Sequence, residues 1–143
     1  MTDAELAQLK IYPELEVVDI LSDKLTDEGL DVLKQLRQLR KLRLNDGKIT
    51  DKGVERLKAL PKLEELVLMR TVATAEGIAH LKSIESLRRL ALIRIPITPD
   101  VVARLKELTR LESLSFEQLT PESVAAAGEL VSLMPNTRVS VFR

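Results

Sequence analysis

The chain switches between two hydrophobic periods, and the switch itself repeats. Threonines stand at 2, 26, 50, 74 and 98, each 24 residues after the last, and a sixth follows at 120. Counted from each threonine, position +4 reads Leu6, Leu30, Val54, Ile78, Val102 and Val124. Position +7 reads Leu9, Leu33, Leu57, Leu81, Leu105 and Ala127, and position +10 reads Tyr12, Leu36, Leu60, Ile84, Leu108 and Leu130. Apolar residues three apart predict a short helix with one inward face. The period then becomes two. Positions +16 and +18 hold Val18 and Ile20, Leu42 and Leu44, Leu66 and Leu68, Leu90 and Leu92, and Leu114 and Phe116. That spacing predicts a strand. Each unit therefore reads as a helix near +1 to +10 and a strand near +15 to +19. Extra residues around Met134, Pro135 and Asn136 shift the last unit, so Val139 and Val141 take its inward strand places.

The helix starts are marked chemically. A threonine hydroxyl can accept from the free N–H groups of a first helical turn. The units at 98 and 120 read T-P-D and T-P-E, and proline suits the first helical position because it has no N–H to leave unpaired. Asp27, Asp51, Asp100 and Glu122 suit the positive end of a helix. Gly29, Gly53 and Gly77 at +3 are too far apart for one phosphate loop and let each first turn approach its neighbour closely.

A helix–strand unit this small cannot bury its own apolar face, but stacked units can. Parallel strands lie about 4.8 Å apart and packed helices roughly 8–10 Å. The stack must therefore curve, with strands inside. The expected fold is α/β: one domain over 1–143, a right-handed curved βα solenoid of about six repeats starting near 2, 26, 50, 74, 98 and 120. Its parallel sheet lines the concave face and its short helices the convex face.

The segments L-x-x-L-x-L at 39–44, 63–68 and 87–92, with a partial copy at 111–114, resemble leucine-rich repeats. The unit ITDKGVERLKALPKLEELVL, residues 49–68, is similar to the I-T-D-x-G-L variety found in F-box-type and many bacterial leucine-rich-repeat proteins. The resemblance implies the solenoid and little about function, because such scaffolds bind unrelated partners. The family often places Asn or Cys where the chain turns inward after the strand. Here that position reads Asp23, Gly47, Thr71 and Ile95, so a different arrangement of turn hydrogen bonds is expected.

Composition removes several function classes. Aromatic residues are 2% of the chain against 45% apolar overall, so the core must be aliphatic. The 22 basic and 22 acidic residues cancel, giving no global field for nucleic acid or an anionic membrane. With no cysteine there is no disulfide or thiolate chemistry, and an intracellular, cytoplasmic setting is favoured. The start, MTDAELAQLK, is not leader-like, and no apolar run is long enough to span a membrane. His80 is the only histidine. It can form neither a metal cluster nor a paired nucleophile. No enzyme activity, metal or cofactor is expected. Lys10, Lys34, Lys58, Lys82 and Lys106 form a ladder at +8, read as cations complementing helix C-termini on a solvated face. Lys41, Glu65 and Arg89 at +15, and Asp19 and Arg43 at +17, read as cross-strand pairs.

The stretch LALIRIPIT, 90–98, is unusually apolar. Leu90, Leu92, Ile95 and Ile97 are inward positions. Ala91 and Ile93 are left on the concave face, beside Val67 and Met69 of the previous repeat, with Arg70 and Arg94 at the edge. Neighbouring repeats fill this face with Arg43, Asn45, Ser115 and Glu117. An apolar centre with an arginine rim is the composition of a protein contact. Val67, Met69, Arg70, Ala91, Ile93 and Arg94 are therefore the candidate partner-binding residues, with Met69 and Ile93 at the centre. Strand alternation turns them from the core, so substituting them is expected to cost little stability. The partner expected is a protein. A second expectation is assembly through the ends, since the last strand, RVSVF at 138–142, leaves a free edge that invites pairing.

Overall fold

The computed structural model describes residues 1–142. Six strands form one parallel sheet in chain order: β1 Val17–Leu21, β2 Lys41–Asn45, β3 Glu65–Met69, β4 Arg89–Ile93, β5 Ser113–Glu117 and β6 Arg138–Phe142. The register advances by whole repeats, so Leu42, Leu66, Leu90, Leu114 and Val139 fall in one row and Leu44, Leu68, Leu92, Phe116 and Val141 in another. Between strands the chain forms α1 Asp3–Leu6, α2 Asp51–Arg56, α3 Ala75–His80, α4 Pro99–Leu105 and α5 Pro121–Leu133. The first three of these tighten into 3₁₀ turns at Ala7–Ile11, Leu57–Ala59 and Leu81–Ser83. The second repeat is 3₁₀ throughout, Glu28–Gln35. Its apolar residues at 30, 33 and 36 stand three apart, which is the period of a 3₁₀ turn. The architecture is a βα solenoid with a leucine-rich-repeat-like fold.

Burial follows the two periods. The +16 and +18 residues of the first five repeats are buried, as are Leu30, Leu33 and Leu36 and their counterparts in the next three repeats. Tyr12 departs furthest, at 57% exposed, and Leu9, Val124, Val139 and Val141 are only partly buried. In the later repeats the +10 side chain packs within the stack, whereas Tyr12 lies in the terminal repeat of the described sheet. Leu9 and Leu15 are only partly buried for the same reason.

The threonines cap as expected. Thr2, Thr50, Thr74, Thr98 and Thr120 each accept from a backbone N–H of their own first turn. The acids do more than complement a helix end. The Asp3 carboxylate accepts the N–H and the hydroxyl of Thr26 at 2.9 and 2.7 Å. Asp27 does the same for Thr50 at 2.9 and 2.5 Å, and Asp51 for Thr74 at 2.6 and 2.6 Å. Each of the first three repeats thus ties down the helix start of the next. In the first repeat Glu5 supplies the missing acceptor itself, taking the Thr2 N–H at 2.7 Å. The ladder stops at Thr98, whose preceding repeat carries Ala75 in place of the acid.

The turns after the strands correct one expectation. Asp23 and Gly47 do not turn inward; both are exposed. Ser22 and Asp46, one position earlier, are buried instead. The Asp46 carboxylate accepts the N–H groups of Leu25 and Lys48 at 3.1 and 2.8 Å, and the Ser22 hydroxyl accepts that of Lys24 at 3.0 Å. From the third repeat the inward position moves to Thr71 and Ile95, both buried. The residue before each, Arg70 or Arg94, has a left-handed backbone with φ of 55°. The turn therefore changes type between the second and third repeats.

Candidate interaction face

Strand alternation presents positions +15, +17 and +19 on the open side of the sheet. In β3 these are Glu65, Val67 and Met69, and in β4 Arg89, Ala91 and Ile93. The register sets Val67 opposite Ala91 and Met69 opposite Ile93. Arg43 and Asn45 flank the cluster on one side, Ser115 and Glu117 on the other. The sequence-selected apolar residues are therefore neighbours on adjacent central strands.

Their accessibility differs from the expectation in one respect. Val67, Met69 and Ala91 are half-buried and available to a partner. Ile93 is only 5% exposed. It lies outside the contiguous interior core, on the open side between the longer side chains of Met69 and Glu117 in its row. A β-branched side chain stands close to the sheet, so long neighbours can cover it. Ile93 is thus a covered neighbour of Met69 and not the exposed centre of the cluster.

Arg70 and Arg94 are both exposed and follow adjacent strands, but their side chains diverge. Arg70 Nε donates to Asn45 Oδ1 at 2.8 Å, toward β2. Arg94 Nε donates to Gln118 Oε1, toward β5. Gln118 shares the left-handed backbone, with φ of 54°, so this conformation belongs to the turn type of three successive repeats. The arginines border the apolar cluster at its turn edge, each bonded toward a different strand, and both line one open depression with Val72, Pro96 and Asp100.

The predicted cross-strand charges meet in part. Glu65 takes Lys41 at 3.5 Å and Arg89 at 3.1 Å. Asp19 and Arg43 are register partners, yet no ion pair joins them among the described residues. On the helix side all five ladder lysines are exposed, and Lys58 and Lys82 pair with Glu55 and Glu107 at 2.7 and 3.4 Å.

Among the described residues no group of His, Asp and Glu side chains is arranged to hold a metal, and no helix is long and apolar enough to cross a membrane. A cleft of about 190 Å³ lies between the fourth and fifth repeats, lined by Leu81, Ile84, Leu87, Leu108 and Leu111 with Lys82 and Glu107 at its mouth. It is smaller than the roughly 300–1,000 Å³ of ordinary ligand sites; a larger, open depression of about 620 Å³ runs along the turns, lined by Arg70, Val72, Ala73, Arg94, Pro96 and Asp100.

Two features escaped the sequence reading. The acid-to-threonine ladder was legible as a correlation between one repeat's +1 residue and the next repeat's +3 residue. Asp3, Asp27 and Asp51 precede Gly29, Gly53 and Gly77, while Ala75 precedes Val101. Of the exposed apolar residues on the terminal strands, Leu21 and Phe142 stand in the column of Met69 and Ile93, and Val17 in that of Glu65 and Arg89; Val17 and Phe142 could have been found by the same alternation.

No protein family's sequence profile matches the chain, and no curated protein matches it. Among solved structures it is similar to leiomodin-1 actin-binding site 2, with a TM-score of 0.64 and 20% identity, over 92% of this chain and 88% of that one. At that identity the likeness concerns the fold.

Proposed function

We propose that this chain is a non-enzymatic protein-interaction module built of I-T-D-x-G-L-type leucine-rich repeats, whose concave strand face takes a protein partner in a cytoplasmic setting. One observation carries the reading. Val67, Met69 and Ala91 form a half-buried apolar cluster on the two central strands, where neighbouring strands carry polar and charged side chains. Arg70 and Arg94 border it, and Ile93 lies covered beside Met69. Core folding does not explain apolar residues on this side. A contact that desolvates them does. The similar fold in leiomodin-1 is named an actin-binding site, a protein-binding role that is in keeping with a protein partner without identifying one. The test is parallel affinity capture with the parent and a Val67→Ser/Met69→Ser variant, both verified as folded. The variant should lose the parent's captured proteins. Identical capture by both would move the site elsewhere.

A second reading, assembly through the ends, rests on a different observation. Val17, Leu21 and Phe142 are 59%, 70% and 54% exposed, and they belong to the first and last strands, each with an unpaired edge. Exposed apolar edge strands favour pairing with another copy or a neighbouring domain. Light scattering across a concentration series tests it: growth in mass with concentration supports assembly, and a constant monomer mass contradicts it.

A further inference from the structure

The whole chain is electrically neutral, but its proposed binding face is not. Across β2 to β5 and the residue following each, the cations are Lys41, Arg43, Arg70, Arg89 and Arg94, and the acids are Glu65, Glu117 and Asp46; Glu117, beside Ile93, forms no ion pair among the described residues. Asp46 is fully buried, its carboxylate occupied by two backbone N–H groups. Glu65 is shared by Lys41 and Arg89. Arg43, Arg70 and Arg94 therefore have no carboxylate of their own among the described residues. Arg40 and Arg56 are paired across repeats with Glu64 and Asp31, whereas Arg37, Arg88, Arg110 and Arg138, away from this cluster, carry no ion pair among the described residues.

Arg70 and Arg94 are also held in place. Each Nε–H is engaged by a neutral amide, Asn45 or Gln118. An amide fixes the guanidinium without neutralising it, and leaves the terminal N–H groups free to donate. Their divergence, toward β2 and β5, separates the two cations along the turn edge of the Val67–Met69–Ala91 cluster. Pre-positioned arginines are suited to carboxylates, which accept two parallel N–H bonds at once, and less ordering is required of them on binding.

We propose that the partner presents an acidic segment to this face, with an apolar side chain seated on Val67, Met69 and Ala91 and carboxylates on either side of it reaching Arg70 and Arg94. This rests on the strand face being the binding site. Arg43 supplies additional attraction at the β2 border, so association is fast at low salt and slows as salt is added.

The test uses random peptides displayed on phage, selected against the immobilised full chain. Arg70→Gln/Arg94→Gln is the diagnostic variant. Glutamine already occupies this turn position at Gln118 with the same backbone, so the variant keeps the fold. Peptides enriched on the parent should carry Asp or Glu on both sides of an apolar residue. A selected peptide, measured by fluorescence polarisation, should bind the glutamine variant about tenfold or more weakly, since two charge-assisted contacts are lost. Enrichment of neutral or basic peptides overturns the inference. So does equal affinity for the glutamine variant when Val67→Ser/Met69→Ser has lost binding, and in that case the face itself stands. If the selected peptide binds Val67→Ser/Met69→Ser as tightly as the parent, the strand-face reading fails first. Absence of any enrichment counts against both.

Discussion

The Asp51 carboxylate lies where a side chain on Gly77 would begin. Its Oδ1 accepts the N–H groups of Thr74 and Gly77 at 2.6 and 3.0 Å, and its Oδ2 accepts the Thr74 hydroxyl at 2.6 Å. A Cβ added at Gly77 would collide with Oδ1 and crowd the Asp51 Cα at 3.2 Å. The acid of one repeat thus requires the glycine of the next.

Gly77→Ala should therefore destabilise the chain although alanine is the better helix former. Displacing the carboxylate breaks charge-assisted bonds, for a loss of about 1–3 kcal/mol. Gly128→Ala is the control. Nothing lies within 4 Å of a Cβ there, and this helical site should gain about 0.5–1 kcal/mol. Urea denaturation of the two variants should give opposite signs. A stabilised Gly77→Ala would contradict the ladder.

Ile93 and Met69 share a row of the sheet but not an environment. Met69→Ser, at a half-buried site, should lose about 1 kcal/mol or less. Ile93→Ser, at 5% exposure, should lose roughly 2 kcal/mol or more, because it removes buried methyl groups and buries a hydroxyl. Equal midpoints in urea would mean that Ile93 is as open as Met69.

Much of this was readable from residues alone. The change of period from three to two placed every strand, because inward rows at +16 and +18 leave only one register that buries them. The same alternation placed Val67, Met69 and Ala91 on the open face. It could not show that Ile93 is covered. Side-chain direction follows from periodicity, but cover depends on the length of neighbours such as Met69 and Glu117 in adjacent repeats. One column read as inward in every repeat holds at Thr71 and Ile95, where a left-handed Arg70 or Arg94 precedes, and is one residue late at Asp23 and Gly47, where no left-handed residue precedes. Arginine has no special preference for that conformation, so the sequence carries no local mark of it.

Thr71 marks that change of turn. Its hydroxyl is buried and has no hydrogen-bond partner among the described residues. Thr71→Val keeps the shape and removes a polar group left unpaired, so it should be neutral or stabilising by about 1 kcal/mol. A clear loss in thermal denaturation would show that the hydroxyl is engaged.

Acid should weaken the fold. Hydrogen bonds from the Thr2 backbone and hydroxyl hold the Glu5 carboxyl below its ordinary range. Hydrogen bonds from Arg56, Lys58 and Lys82 do the same for Asp31, Glu55 and Glu107. A carboxyl with a lowered folded-state pKa contributes stability above its unfolded pKa and loses it as pH falls through the folded value. Stability should therefore be level near neutrality and decline below about pH 4. The slope should be shallow, since these exposed groups are screened. In Glu5→Gln the decline should be smaller than in the parent; an unchanged slope in urea titrations at several pH values would remove Glu5 from the account.

The strand-face claim can be read from a single methyl resonance. The chain has three methionines. Met1 stands at the first repeat, Met134 is buried beneath the last turn, and Met69 is half-buried on the central strand face. With ¹³C-methyl-methionine labelling, titration of a partner retained by affinity capture should shift or broaden the Met69 signal and leave Met1 and Met134 in place. Movement of Met1 or Met134 with an unaffected Met69 would place the contact at an end of the solenoid and contradict binding on the central strand face.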